Sequence, residues 1–203
     1  MRRWHYPGPG PLGEPEAPDS GTTRNETTIG GSDFDGTPQT IVPAMYPLGW
    51  WVIPVFRRRA PHPVLCGRNG PITVLPDHMH EGVIEVPPLD QSLPVDGVSV
   101  AEYPRASGVR VAPLVIATAT NHAATPDAAF GVIGAYDGHQ VDEVPGGVGR
   151  VVVDATWHHL FGMNVLQFAA AYDAVQAGAT HPDLLQKAGY WQQIKDYFQN
   201  AAI

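Results

Sequence analysis

Apolar residues occur in short runs over the middle of the chain, and the breaks between the runs are rich in proline and glycine. Short runs with many β-branched residues are typical of strands. We predict strands at 48–56, 71–75, 83–86, 108–120, 130–136 and 150–155. Pro113 predicts a break or an edge position within the run at 108–120, because proline cannot donate to a strand ladder. The turn at 145–147 is expected to return the run at 150–155 beside the run at 130–136.

Helical periodicity begins only after the last of these runs. Residues 164–177 place apolar side chains on one face, and Gly178 is expected to end that helix. A second helix is predicted over 184–202, where aliphatic and aromatic residues recur at helical spacing. Between 87 and 107 a proline occurs every few residues, which predicts a surface connection. Asp137-Gly138 predicts a hairpin-type turn.

The first 40 residues show no such pattern. Proline, glycine, serine, threonine and acidic residues dominate there. Such a segment buries too little apolar surface to offset its own ordering entropy. We therefore predict a poorly ordered leader over residues 1–40 and one folded domain over residues 41–203.

Composition and charge narrow the class of protein. Apolar residues make up 43% of the 203 residues, which is enough for one hydrophobic core, and 21 prolines and 22 glycines indicate many loops. The net charge of −8 argues against a nucleic-acid partner. No apolar stretch is long enough to span a membrane, and no apolar signal core follows the N-terminal arginines. These features predict a cytoplasmic protein that does not associate with membranes.

The segment 149–159 combines a glycine-marked turn, a β-branched run and a polar cluster. In α/β proteins, the carboxyl end of a buried strand is a usual position for an active site. Asp154, His158 and His159 are the candidate catalytic residues, with a histidine acting as general acid/base or as a ligand. Adjacent strand residues point to opposite faces, so at most one histidine enters a given site, and the pattern leaves open which one. In the alternative interpretation, one histidine packs in the core and the other is exposed.

A second polar cluster, at 77–81, is the candidate metal site. Asp77, His78, His80 and Glu81 are all side chains that ligate divalent metal ions such as iron. On an extended segment the two histidines share a face, as a two-histidine site requires. The spacing from the histidines to Glu85 resembles the first cupin motif. The alternative is a polar loop whose histidines cap backbone groups or lie in solvent.

The single cysteine, Cys66, excludes an internal disulfide. Its surroundings lack the strand, sharp turn and helix of a nucleophile elbow, so we interpret it as a small buried apolar residue. No glycine-rich phosphate loop occurs, so no nucleotide cofactor is expected. A divalent metal ion is the cofactor that the sequence suggests.

The stretch Gly149-Arg-Val-Val-Val-Asp, followed by Thr-Trp-His-His, resembles a segment of the trehalose-utilisation (ThuA-like) proteins. These proteins belong to the class I glutamine-amidotransferase-like superfamily. Further similar features follow in the family's order: the His-Pro turn at 62–67, the acidic segment at 77–81, the strand at 109–118 and the closing helix with Trp191 and Tyr197. The resemblance implies an α/β fold that is the later half of a flavodoxin-like sandwich, with short strands and two C-terminal helices.

The resemblance also implies a function. It suggests a hydrolase or sugar-processing enzyme that acts on a small polar molecule or carbohydrate. His158 or His159 would provide the chemistry, helped by the loop at 77–81. The family's early strands, including the elbow that carries cysteine in amidotransferases, have no counterpart in residues 1–50. Glutaminase chemistry is therefore not expected.

Two further hypotheses belong to other classes of protein. A non-catalytic assembly domain would form a homo-oligomer or be completed by a partner chain, and Trp50, Trp51 and Trp191 would serve its contacts. A cupin-like metal enzyme would instead have an all-β body.

Overall fold

The fold is described over residues 39–48, 59–75, 84–86, 88–121, 128–154 and 163–202 of a computed structural model. Over these residues, fourteen strands, most of them short, precede two helices, α1 (Met163–Gln176) and α2 (Pro182–Ala201). The strands are β1 (Gln39–Thr40), β2 (Val42–Pro43), β3 (Met45–Pro47), β4 (Arg59–Pro61), β5 (Cys66–Gly67), β6 (Gly70–Pro71), β7 (Val74–Leu75), β8 (Ser92–Val95), β9 (Val98–Ala101), β10 (Arg105–Ala106), β11 (Val109–Arg110), β12 (Leu114–Asn121), β13 (Ala128–Asp137) and β14 (Arg150–Asp154).

A four-stranded sheet with the order β14-β13-β12-β2 forms the centre of the molecule. β12 and β13 are its long strands, with 8 and 10 residues. The predicted break at Pro113 is confirmed, because β11 ends before this proline and β12 begins directly after it. β14 pairs with β13 from Arg150 opposite Asp137 to Asp154 opposite Ile133. The predicted return of this strand is therefore also confirmed.

The remaining strands form two-stranded pairs: β1 with β7, β3 with β4, β5 with β6, β8 with β9, and β10 with β11. Every strand pair in the described part of the chain is antiparallel. A flavodoxin-like sandwich has a parallel central sheet. The mixed α/β class is thus confirmed, whereas the flavodoxin-like sandwich is not.

Several local predictions differ from the structure. The connection at 87–107 contains the β8–β9 hairpin, because Asp96 and Gly97 adopt the positive φ values, 48° and 80°, that a tight hairpin turn needs. Asp137-Gly138 opens a 3₁₀ turn instead of a two-residue hairpin loop, since the Asp137 carboxylate accepts a hydrogen bond from the His139 backbone. Of the strand predicted at 83–86, Ile84 alone forms a bridge within the described residues.

The core joins the central sheet to a 3₁₀ turn (Pro63–Leu65), the short strands after it and α2. Its buried side chains are Ile41, Val64, Leu65, Ile72, Leu75, Ile116, Ala117, Ala119, Val132, Ile133, Ala135 and Tyr197. The prediction that Cys66 is buried is wrong. Its thiol is exposed and lies 3.7 Å from the His62 carbonyl oxygen, because the neighbouring Leu65 takes the inward position.

Both predicted helices are confirmed, and an all-β cupin-like body is therefore wrong. Gly178 ends the first helical segment with φ of +99°, a conformation that only glycine adopts at low cost. Pro182 begins α2, where its missing N–H costs no hydrogen bond. Phe168 of α1 is fully buried and meets Tyr190 of α2 edge to face at 6.2 Å between ring centroids. Within the described residues, neither helix is both long and apolar enough to cross a membrane.

Polar side chains of α2 fasten the helix to the chain at 64–73. Asp196 is only 6% exposed although it carries a charge. The contacts are Asp196 with the Arg68 backbone N–H (3.0 Å) and guanidinium (2.9 and 3.0 Å), Gln193 with the Thr73 N–H (2.8 Å), and Asn200 with the carbonyl oxygens of Val64 (3.2 Å) and Cys66 (2.9 Å). Hydrogen bonds of this kind fix the helix in one register, because a shift along the helix axis would break them together.

Candidate functional site

A groove of about 350 Å³ lies beside the carboxyl end of β13 and is lined by the β10–β11 hairpin. Its polar lining residues are His62, Arg110, Asp137 and Gln140. Its other lining residues are small or aliphatic: Ala106, Val109, Val111, Ala112, Leu114 and Ala135. A concave apolar surface with a few converging polar groups is typical of a small-molecule site.

Acidic side chains hold the β10–β11 hairpin against the connection between β13 and β14. The Asp142 carboxylate accepts a hydrogen bond from the Ser107 backbone N–H at 2.7 Å. The Glu143 carboxylate accepts one from the Arg105 backbone N–H at 2.8 Å. These bonds fix the hairpin that brings Arg110 to the groove.

Asp137 lies where β13 ends, and the returning chain orients its carboxylate. A Cβ on Gly138 would lie 2.5 Å from the Gly149 carbonyl oxygen, so glycine is needed for this close approach. The return brings Arg150 beside Asp137, whose Oδ1 accepts hydrogen bonds from Arg150 Nε and from the His139 N–H, both at 3.2 Å. Oδ2 has no hydrogen-bond partner among the described residues and can accept one from a ligand.

The charge state of Asp137 follows from these contacts. Partial burial raises the pKa of this carboxyl, but the hydrogen bonds and positive charge of Arg150 and the His139 N–H outweigh that effect and lower it overall. Asp137 is therefore a carboxylate at neutral pH, with its charge balanced by Arg150.

His62 contributes a hydrogen-bond donor. Pro63 restricts the preceding backbone to an extended conformation, so His62 caps the 3₁₀ turn. Its Nδ1 accepts a hydrogen bond from the Val64 N–H at 3.4 Å, which assigns the ring proton of the neutral imidazole to Nε2. Burial lowers the pKa of His62, and the opposing effect of Asp137 does not restore it. The ring is thus neutral at neutral pH.

Arg110 brings a positive charge to the groove. Its Nη1 donates to the Tyr103 carbonyl oxygen, which steadies the side chain. Tyr103 is itself buried and meets Tyr136 edge to face at 6.2 Å between ring centroids. No carboxylate pairs with the Arg110 guanidinium within the described part of the chain. The charge can therefore be neutralised by a ligand.

Of the predicted catalytic residues, Asp154 is the one that the structure describes. Its Oδ2 accepts a hydrogen bond from the Tyr197 hydroxyl at 3.0 Å. Burial, followed by the charge of Asp154, raises the pKa of Tyr197 well above 10.0, so the phenol remains a donor. Asp154 lies four residues from Arg150, about 13 Å along β14, and is not a lining residue of the groove. Its described contact joins β14 to α2.

The other predicted site residues lie outside the described residues. They are the candidate catalytic residues His158 and His159 and the candidate metal ligands Asp77, His78, His80 and Glu81. Their grouping with Asp154 stays a prediction. Elsewhere, over the residues that the structure describes, no group of three or more His, Cys, Asp or Glu side chains could hold a metal ion.

Sequence reasoning did not identify the groove residues as a site. In the sequence, His62 is part of a proline-braced turn, and Asp137 is a loop residue for which a site role is possible but has no supporting pattern. Arg110 carries no local sequence signal of a binding site, because an arginine at the end of any exposed strand gives the same pattern. The three side chains come together through long-range pairing, which a single sequence does not reveal.

The charges around His62 predict two opposite pKa changes. Asp137→Asn removes a negative charge and should lower the pKa of His62 further, whereas Arg150→Gln removes a positive charge and should raise it. Following the His62 ring signal by NMR against pH would measure both. Unchanged midpoints in both variants would mean that His62 does not lie near this pair.

The lowered pKa of His62 also makes the stability of the fold depend on pH. Because the folded pKa is lowered, the folded protein binds fewer protons than the unfolded chain below pH 6.5. The stability contributed by the neutral ring is present above that pH and is lost as the pH falls through the folded pKa. His62→Gln should therefore reduce the loss of stability on acidification.

Comparison with protein-family models, with curated proteins and with solved structures finds no match for this chain.

Proposed function

We propose that this protein binds a small polar molecule with a short apolar part in the His62–Arg110–Asp137 groove. The observation that carries the proposal is the convergence of three polar side chains, each with unused hydrogen-bonding capacity, on a cavity with aliphatic walls. The volume of about 350 Å³ lies within the range of small-molecule pockets.

Binding is favoured over catalysis by the chemistry of the lining. His62 presents Nε2–H, which is a donor and not a base, because the accepting nitrogen already faces the Val64 N–H. Asp137 is held by Arg150 and the His139 backbone. No serine, threonine, cysteine or lysine is among the described lining residues, and the Asp137 carboxylate and the His62 imidazole are both already engaged as hydrogen-bond acceptors.

The ThuA-like hydrolase or sugar-processing function is a separate proposal that rests on the sequence resemblance. It needs His158 or His159 as the acid/base and the 77–81 loop as its helper or metal site. The Tyr197–Asp154 hydrogen bond gives that carboxylate a packing role that does not depend on catalysis. The cytoplasmic location likewise stays a prediction.

The assembly hypothesis has one observation in its favour. Val95, Val98 and Val100 lie on one face of the β8–β9 hairpin and are 49%, 63% and 46% exposed. A stable interface buries about 800 Å² on each partner, however, and three valines supply only a small part of that area. We therefore favour ligand binding as the function of the described residues.

A groove-filling variant tests the proposal. Ala112 lines the groove and is exposed, so Ala112→Phe should occupy the cavity without disturbing the core. We expect it to weaken binding about tenfold or more, equivalent to about 1.4 kcal/mol. Saturation-transfer NMR of the full chain with amino acids, monosaccharides, short carboxylates and short amines would measure the binding.

Ala170→Phe is the matched control, because Ala170 is exposed on α1 and is not a lining residue. It should leave binding unchanged. If no probe in the panel binds, or if both phenylalanine variants bind as the unmutated chain does, the groove is not the ligand site.

A further inference from the structure

We infer that the ligand of the groove is a free aliphatic α-amino acid, an inference that rests on the proposed function. Such a molecule carries a carboxylate, an ammonium group and a short apolar side chain on one carbon atom. The groove offers a matching partner for each of these three parts.

Arg110 and His62 fit the carboxylate. The guanidinium has no carboxylate partner among the described residues, since its contact is with the Tyr103 carbonyl oxygen. A planar guanidinium presents several N–H donors in a geometry that suits a carboxylate. His62 Nε2–H supplies a further donor to the same groove.

Asp137 fits the ammonium group. Its Oδ1 accepts the hydrogen bonds from Arg150 and the His139 N–H, while Oδ2 has no hydrogen-bond partner in the described part of the chain. An ammonium group donates to carboxylate oxygens and would satisfy Oδ2. A ligand that carried only a carboxylate would leave this acceptor without a partner.

The charges around the groove have an excess of one positive charge, because Arg110 and Arg150 contribute two positive charges, Asp137 contributes one negative charge, and His62 is neutral. This excess attracts the carboxylate of the ligand, while the open Oδ2 of Asp137 favours a zwitterion over a simple anion. Arg105, which lies on β10 of the hairpin, is matched by Glu143 at 3.9 Å. The net charge of −8 on the whole chain would repel an anion at long range, but it acts little on a zwitterion and is screened beyond about 8 Å at physiological salt.

The walls fit the side chain of the amino acid. The six non-polar lining residues are alanine, valine and leucine, and no phenylalanine, tyrosine or tryptophan is among the described lining residues. Sugars usually stack on aromatic rings, so these walls favour a branched aliphatic chain over a carbohydrate. The lining therefore narrows the expected ligand from small polar molecules in general to one chemical class.

Four probes separate the contributions of the three parts. L-leucine carries all three, 4-methylpentanoate lacks the ammonium group, 3-methylbutan-1-amine lacks the carboxylate, and D-glucose lacks the aliphatic chain. We expect L-leucine to bind the full chain about tenfold tighter than any of the others, which is about 1.4 kcal/mol. Titration calorimetry or ligand-observed NMR would give the dissociation constants.

Two charge variants assign the contacts. Arg110→Gln should weaken L-leucine and 4-methylpentanoate about tenfold and leave the amine unchanged. Asp137→Asn should weaken L-leucine and the amine and should not weaken 4-methylpentanoate. Lys187→Gln and Asp173→Asn, which change charges on the two helices and away from the groove lining, are the matched controls and should alter none of the four.

The possible results separate the inference from the function on which it rests. If no probe binds, or if binding is unaffected by Ala112→Phe, the proposed function is overturned together with the inference. If the amine, 4-methylpentanoate or glucose binds as tightly as L-leucine and Ala112→Phe weakens it, the inference is overturned and the groove remains the site. The comparison of probes on the unmutated chain decides this even if a charge variant fails to fold.

Discussion

Gly131→Ala is expected to lower the free energy of unfolding by about 3 kcal/mol or more. A Cβ at this position would lie 2.1 Å from the Ile84 carbonyl oxygen and 3.0 Å from Val115 Cγ1. The Ile84 oxygen belongs to the backbone, so no change of rotamer relieves the clash. The Ile84 N–H also donates to the Gly131 carbonyl oxygen at 2.8 Å, and the buried Ile84 would have to leave this position.

Gly189→Ala provides the comparison for this glycine. Gly189 is exposed on α2, and an added Cβ there meets no atom within 4 Å. The substitution should raise stability by about 0.5 to 1 kcal/mol, because alanine favours helix more than glycine does. Urea unfolding followed by circular dichroism would measure both variants. Equal stability of Gly131→Ala and the unmutated chain would show that Ile84 does not pack on β13.

Asp196→Ala is expected to cost about 2 to 3 kcal/mol of unfolding free energy. The substitution removes the acceptor for the Arg68 backbone N–H, the Arg68 guanidinium and Gln192 Nε2, all at 2.9 to 3.0 Å. The side chain of Arg68 is 55% exposed and can be hydrated once its partner is lost, which keeps the cost below that of a fully buried ion pair. Asp196→Asn should cost less, since it retains one acceptor oxygen.

The pH dependence of this effect gives a second measurement. Burial raises the pKa of Asp196, but the hydrogen bonds from Arg68 and Gln192 and the charge of Arg68 lower it overall, below 3.8. The stabilisation is therefore present above the unfolded value and is lost as the pH falls through the folded pKa. The difference between Asp196→Ala and the unmutated chain should shrink as the pH falls below about 4.

Asp183→Ala is the control for the loss of a carboxylate from α2. Asp183 is 53% exposed on its side chain and pairs with Lys187 at 3.2 Å, one turn along the helix. Its loss should lower the free energy of unfolding by less than about 1 kcal/mol. This figure includes both the ion pair and the favourable interaction of the carboxylate with the N-terminal end of the helix dipole. Equal losses for Asp183→Ala and Asp196→Ala would contradict the docking role of the buried carboxylate.

The elements that could be predicted from sequence are those with a strong local signal. The helix ends at Gly178 and Pro182 follow from backbone conformations that only these residue types favour. The break at Pro113 follows from the missing N–H of proline. The pairing of β13 with β14 could be predicted because the two strands are close in sequence.

Long-range contacts could not be predicted in this way. β2 pairs with β12 across more than seventy residues, and nothing in the composition of Val42-Pro43 identifies that partner. The burial of Asp196 was equally hidden, because a helical carboxylate is usually exposed and only Arg68 makes its burial favourable. The groove also depends on long-range contacts. For this reason the sequence patterns predicted candidate site residues in other segments, at 77–81 and 154–159.

The polar attachment of α2 also affects how the chain folds while it is being synthesised. Arg68 precedes its partner Asp196 by 128 positions, and Val64 precedes Asn200 by 136. At about 5 to 20 residues per second, a ribosome needs roughly 6 to 27 s to synthesise the chain between the two partners of these contacts. During that interval the nascent β5–β6 segment lacks its helix and leaves apolar surface uncovered. We therefore expect folding to be completed late in translation, with α2 as the element that closes the core.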